Sequence, residues 1–443
     1  MNVEPLADRV MNRLSGRANG EVSVVKTTNS LTRFANSFIH QNVSDVATSV
    51  ELTLESEGRF AHSSTQRTTE EALDTLISNT LEAAAASPLS EKFPGFAPQA
   101  AVPSLDHHDP STATATPTDR AEAVKAFVDA GDGLEAAGFC ETIEFLTAYA
   151  NTEGQRATGE LTRAVVDGIH RTTSSAGKGH QTSLRFSDLD GAAAGARAAA
   201  KARAAQDPFD LKPGRYEVIL EPNAVGTIAV FLGVYGFNGL AVAEGRSFAT
   251  IGDVMFDTSI SLRNDPTHPE AIGFPYDAEG TPTRPTELVE RGTVVGHVHD
   301  RTTAKAMDLS STGNAVPRAQ RTLGVVPVNL FIDPGDMTRD DMITSVERGL
   351  LVTEFNYCRV LDPLTVGMTG LTRNGTFLIE NGSVAGAVTN LRFTQSVVAA
   401  LEPGNVLGVE SDSRLSDSEF GVGFAHVPSL HLGEWNFTGG AGG

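Results

Sequence analysis

The chain of 443 residues, 40% hydrophobic and 20% charged, is more than one ordinary core absorbs, so two domains are expected. Its apolar content is enough to offset chain entropy, which excludes a wholly disordered protein. Thirty-four Lys and Arg against 55 Asp and Glu leave a net charge of −21, a field that repels nucleic-acid phosphates and anionic lipid. Neither nucleic acid nor a membrane surface is expected as a partner. Two cysteines, Cys140 and Cys358, match no paired metal spacing and build no disulfide framework. Glu4 and Asp8 stand where a signal peptide needs an apolar run, so a cytoplasmic location is expected.

Leu6, Val10 and Leu14 recur at helical spacing and predict a short amphipathic helix over 3–15. Strand-type segments follow at 21–26, 31–34, 37–43, 46–56 and 59–65, with breakers at Thr28-Asn29-Ser30, Ala35-Asn36 and Glu57-Gly58. Thr68 or Thr69 caps a helix running to Ala86. The stretch 87–117 is rich in Pro, Ala, Ser and Thr and reads as a surface excursion with nothing to bury. A helix is expected at 118–130, and segments 139–150 and 155–170 flank a turn at Asn151-Thr152-Glu153-Gly154. A strand at 182–186 and an Ala-rich helix ending near Ala205, capped by Asp188 or Asp190, close this half.

The second half opens with a strand at 216–220. Residues 224–243 then carry no charge and are long enough to span a bilayer. Their glycines and polar residues, and flanks without a basic cluster, favour a buried, Gly-notched helix followed by a turn. Short strands are expected at 293–298, 325–331, 350–355, 376–380 and 384–391, with a helix at 338–347 capped by Thr338. The fold class read from this order is α+β: residues 1–212 an N-terminal domain with an antiparallel sheet and flanking helices, and residues 213–443 a β-rich, barrel-like antiparallel domain.

The residues themselves show no nucleophile elbow, no SxxK, no HExxH and no phosphate-binding glycine loop. Cys358 follows an apolar strand and reads as a small buried hydrophobe. His297-Val298-His299-Asp300 would place two imidazoles on one strand face with Asp300 opposite, which lacks a third ligand and reads as a polar strand face. His107-His108-Asp109 falls in the excursion, where nothing is expected to fix its geometry.

Several longer motifs occur in order: Phe274–Gly280 (FPYDAEG), Leu288–Gly292, His299–Lys305 (HDRTTAK), Ser310–Asn314 (SSTGN), Pro327–Leu330, Asp333–Gly335, Arg348–Glu354 and Phe377–Gly382. Together with 48–86 and Asn151–Gly154, they make the chain resemble the TldD/PmbA (TldE) family of modular metallopeptidases. The resemblance implies two kinds of subunit, one holding a metal through an HExxxH helix and a later cysteine, the other lacking both. Ala229, Val230 and Val234 stand here where His, Glu and His would be, and no cysteine follows Cys358, so the third ligand that the resemblance places in the segment before Gly421 is absent too. Ala and Val have no lone pairs for zinc and no base for water. The resemblance therefore implies a non-catalytic TldE/PmbA-like subunit with no cofactor of its own. It would pair with a TldD-like metallopeptidase subunit carrying zinc and act on unfolded peptides or peptide precursors. His297, His299 and Asp300 are expected as cleft-lining polar groups. The alternatives are a homodimeric peptide-binding scaffold, or a stand-alone hydrolase with its metal at His297 and His299.

Overall fold

Leu6, Val10 and Leu14 form the buried stripe of α1 (Val3–Leu14) in the computed structural model, which describes residues 3–90, 93–417 and 423–440. Three long strands follow, β1 (Asn19–Ala35), β2 (Phe38–Ser56) and β3 (Arg59–Thr65), then α2 (Glu70–Ala86). Thr69 accepts from the Ala72 N–H and caps α2. The five expected strand segments are thus three. The turns fall at Asn36-Ser37 and Glu57-Gly58, where φ is positive at all four residues. Thr28-Asn29-Ser30 does not break β1, because it is flanked by β2 and β4 and the Ser30 and Ser44 hydroxyls meet across the strands at 2.9 Å.

A single turn, α3 (Pro110–Ala113), precedes α4 (Pro117–Asp129), β4 (Glu135–Asn151), β5 (Arg156–Arg171), β6 (Ala176–Ser183) and α5 (Gly191–Ala204). The six strands form one antiparallel sheet in the order β3-β2-β1-β4-β5-β6. On one face, Val22, Val24, Val50, Leu52 and Leu54 bury against α1 and α2. On the same face, Phe34, Cys140 and Val166 bury against α4 and α5. Asp190, not Asp188, caps α5 by accepting from the Ala193 N–H. β6 begins six residues before the expected strand, and its glycines hid it. A Cβ at Gly177 would stand 2.2 Å from the Ala198 carbonyl, and one at Gly179 2.0 Å from the Ala194 carbonyl of α5. Gly179→Ala is therefore expected to cost about 2 kcal/mol through overpacking, read as a lower urea midpoint.

The second sheet contains β7 (Gly214–Leu220), β8 (Leu262–Asn264), β9 (Thr286–Glu290), β10 (Thr293–Val294), β11 (Asn329–Ile332), β12 (Arg348–Asp362), β13 (Gly367–Glu380), β14 (Ser383–Ala387), β15 (Leu391–Ser396), β16 (Val406–Asp417) and β17 (Phe424–Gly440). Strands β7, β12, β13, β15 and β17 close into a ring, since β17 pairs with both β15 and β7. The barrel-like reading holds, with two parallel pairings, β7 with β12 and β11 with β17, among the antiparallel ones. Trp435, Phe355 and Phe393 pack together in its core, with the Trp435 ring 5.2 and 5.4 Å from the other two centroids. The uncharged run forms α6 (Pro222–Tyr235) and, after a turn, α7 (Gly239–Ala243). α6 packs on β11, β12, β16 and β17. Among the described residues no helix is long and apolar enough to cross a membrane. Short helices α8 (Arg301–Ala306), α9 (Arg339–Ser345) and α10 (Val397–Ala400) complete this half. Thr338 caps α9 in a reciprocal box with Asp341.

The excursion is no free linker. Phe93 packs on Phe60 and Phe96 with centroids 3.9 and 5.0 Å away, and the Arg301 and Lys305 side chains donate to the Phe96 and Phe93 carbonyls. His107, 1% exposed, lies between the Gly273 and His268 carbonyls at 2.8 and 2.9 Å. His108 meets Glu144 at 3.1 Å, and Asp109 accepts from Ser111 and Thr112 as the cap of α3. The geometry expected to be loose is fixed, because this segment straps the two sheets together.

Candidate functional site

α6 is a helix without a polar face, a sequence that is stable only when buried on all sides. Ala229 and Val230 are buried, and Val234 is half-buried, packed against the same core. These three side chains cannot bind zinc, so no metal-dependent step can be built on this helix. β16 packs against α6, and the segment just before Gly421, where the resemblance places the third ligand, lies outside the described residues. Among the described residues no three His, Cys, Asp or Glu side chains converge as a metal site. Cys358 is buried, 1% exposed, in the ring core.

The expected strand around His297 ends at Val294, because β10 is only two residues long. His297 and His299 are 7% and 3% exposed, with ring centroids 6.4 Å apart. His297 Nε2 meets the Ala249 carbonyl at 2.9 Å, and His299 Nδ1 meets Thr303 Oγ1 at 3.3 Å. Burial lowers the pKa of both rings. Asp300 is the cap of α8, accepting from the Thr303 N–H at 2.7 Å and its hydroxyl at 2.8 Å. Asp300 lines an open cleft, whereas the two imidazoles, which both precede it in sequence, are enclosed by protein.

That cleft lies between the helix-free face of the first sheet and the motif-bearing loops of the second half. It has two adjoining lobes of about 180 Å³ each that share Glu279, Thr302 and Arg321. One is walled by Glu21, Thr53, Phe60, Phe93, Arg301 and Arg318, the other by Leu240, Asp300, Thr303 and Val325. Glu279 of the 274–280 motif lines both lobes. Asp277 accepts backbone N–H bonds from Glu279, Thr281 and Ala315, each at 2.9 Å, which ties this motif to the residue that follows the 310–314 segment. Gly280 has φ +75°, and a Cβ there would stand 2.2 Å from the Tyr149 ring, so only glycine fits. Glu279 accepts the Arg301 N–H at 3.1 Å, which ties the motif to the 299–305 segment.

The electrostatics of the cleft are unusual. Burial raises Asp277 to about 7, outweighing its three N–H bonds. Burial, then the charges of Asp277 and Asp300, raises Glu279 to about 8. Burial also raises Glu21, although the Tyr149 hydroxyl donates to it at 2.7 Å. Burial followed by the nearby Arg318 and Arg321 lowers His62 to about 4. Asp277 and Glu279 lie inside the Phe274–Gly280 motif, yet sequence reasoning singled out neither as a site residue, and Glu21, Arg318 and Arg321 have no local signal, since only the tertiary fold brings them there.

The fold and cleft describe a two-sheet protein with a closed β ring, a buried apolar helix and a charged seam between the halves. Residues 213–439 match the family model described as the PmbA/TldA metallopeptidase C-terminal domain. The chain belongs to this TldD/PmbA/TldE family. Over 221 residues it is 27% identical to a metalloprotease of Methanothermobacter thermautotrophicus, covering 48% of this chain and 45% of that protein. Over 213 residues it is 25% identical to the metalloprotease TldD homolog of Buchnera aphidicola, covering 47% and 43%. The chain thus spans less than half the length of these relatives. Its fold is that of the crystal structure of TldE from Thermococcus kodakarensis, with a TM-score of 0.86, 19% identity, and 98% and 99% of the two chains covered.

Proposed function

We propose that this chain is the non-catalytic, TldE-like subunit of a heteromeric cytoplasmic metallopeptidase acting on unfolded peptides or peptide precursors. Zinc and the catalytic base belong to a TldD-like partner. The observation that carries this reading is α6: Ala229, Val230 and Val234 occupy the places where the family resemblance puts His, Glu and His, inside an apolar core. A free strand edge supports association. Among the described residues, β3 pairs with β2 only over residues 50–56, and no strand covers the outer edge of residues 38–49. That stretch exposes Phe38, Ile39, Val43 and Val46, and it has no Pro or Lys to guard the edge.

Purified alone, the chain is expected to hold no stoichiometric zinc and to leave casein intact. Mixed with a TldD-like chain from the same organism, it should form a stable complex by light scattering, and that complex should digest casein. Zinc in the lone chain at one equivalent, casein cleavage by it, or no complex with the TldD-like chain would overturn the reading.

A further inference from the structure

We propose that the lobe between Glu21 and Arg321 receives the free carboxylate end of an extended peptide, held by the Arg318 and Arg321 guanidiniums, with its last side chain against Phe60, Phe93 and Phe96. This names the substrate feature recognised under the function proposed above, yet it needs only this chain.

Four observations converge on it. Arg318 and Arg321 both line the lobe, and among the described residues Arg318 has neither a hydrogen bond nor an ion pair. Arg321 comes only within 3.9 Å of Glu279. Two like charges left this close in a half-buried cleft are costly unless an anion joins them. Second, the two carboxyls that line the lobe are already engaged. Glu21 accepts the Tyr149 hydroxyl, and Glu279 accepts the Arg301 backbone N–H. Burial favours their neutral forms, so the lobe is biased positive in a chain of net charge −21. Third, the chemistry matches: guanidiniums present forked donors suited to the two oxygens of a carboxylate. Fourth, the aromatic trio sets the class of anion. Phe93 stands 3.9 Å from Phe60 and 5.0 Å from Phe96, an apolar wall beside the cations. Inorganic phosphate has no use for such a wall, whereas an apolar C-terminal residue does. A lobe of about 180 Å³ admits one terminal residue rather than a folded domain.

The test is fluorescence anisotropy with the lone chain and a fluorescein-labelled octapeptide ending in Phe, as free acid and as C-terminal amide. The acid is expected to bind at least tenfold tighter. An Arg318→Met/Arg321→Met double variant should abolish that difference while leaving amide binding unchanged. Arg215→Met, whose side chain pairs with Glu434 away from the cleft, should preserve it. Equal affinity of the wild-type chain for acid and amide would overturn the inference, as would full competition by inorganic phosphate at the concentration of the peptide. Because no partner is added, failure to bind a TldD-like chain would leave the acid preference measurable, and its loss would leave complex formation measurable.

Discussion

Glu221→Gln is expected to lower stability by about 3–5 kcal/mol at pH 7, the cost of removing one member of a buried ion-pair network. Glu221 sits at the start of α6 with its side chain 4% exposed. It is the N-cap residue, but its side chain makes no capping bond; instead its oxygens meet Lys201 of α5 at 2.5 Å and Arg339 of α9 at 2.8 Å. Arg339 also reaches both oxygens of Glu410, at 3.1 and 3.2 Å, and Glu410 accepts the Ser429 N–H at 3.2 Å. One carboxylate therefore fastens the first sheet's helix layer to the second sheet. Burial alone would raise Glu221, but Lys201 and Arg339 outweigh it and hold the carboxyl at about 2. The unfolded carboxyl titrates near its ordinary 4.5, so the stabilisation is complete above pH 4.5 and is lost as pH falls toward 2. That interval corresponds to roughly 3 kcal/mol. Urea titrations from pH 7 to 2 should show the wild-type chain losing this increment and the Gln variant lacking it from the outset. Equal midpoints for the two at pH 7 would show that the network contributes no net stability.

The legibility of these features follows their range along the chain. Helix stripes such as Leu6-Val10-Leu14, and caps such as Thr338 with Asp341, are set by neighbours three or four residues away, and they read directly from the sequence. The Glu221–Arg339 pair joins residues 118 apart, and Arg339–Glu410 residues 71 apart, so no window along the chain contains either. Strand β6 was misplaced because Gly177 and Gly179 exist for α5, which presses on them from another part of the chain. The 87–117 stretch misled for a related reason. Its polar and proline-rich composition buries little by itself, yet His107 finds both acceptors in residues 268 and 273. Asp277 and Glu279 belong to a motif that carries the family resemblance but were not expected as site residues, because the burial of Glu279 beside Glu21 and two arginines depends on the packing of both halves.

Glu279→Gln should stabilise the chain by about 2–4 kcal/mol at pH 9 and by nearly nothing at pH 4. The folded Glu279 keeps its proton until about pH 8, because burial and then the charges of Asp277 and Asp300 oppose ionisation. The unfolded side chain loses its proton near the ordinary 4.5, so from 4.5 to 8 the folded state binds more protons than the unfolded one. Stability then falls as pH rises across that window and levels off above it. Gln keeps an oxygen for the Arg301 N–H, which the native side chain accepts at 3.1 Å, and it has no proton to lose. What it gives up is the 3.9 Å approach to Arg321, whose side chain is half-exposed, so that loss is small. Urea midpoints measured every half unit from pH 4 to 9 should show the two proteins diverging between 4.5 and 8 and running parallel above. Curves that stay parallel throughout would mean that Glu279 ionises normally in the folded chain. The cleft would then carry a fixed negative charge beside Arg321, and its preference for an anionic peptide end would weaken accordingly.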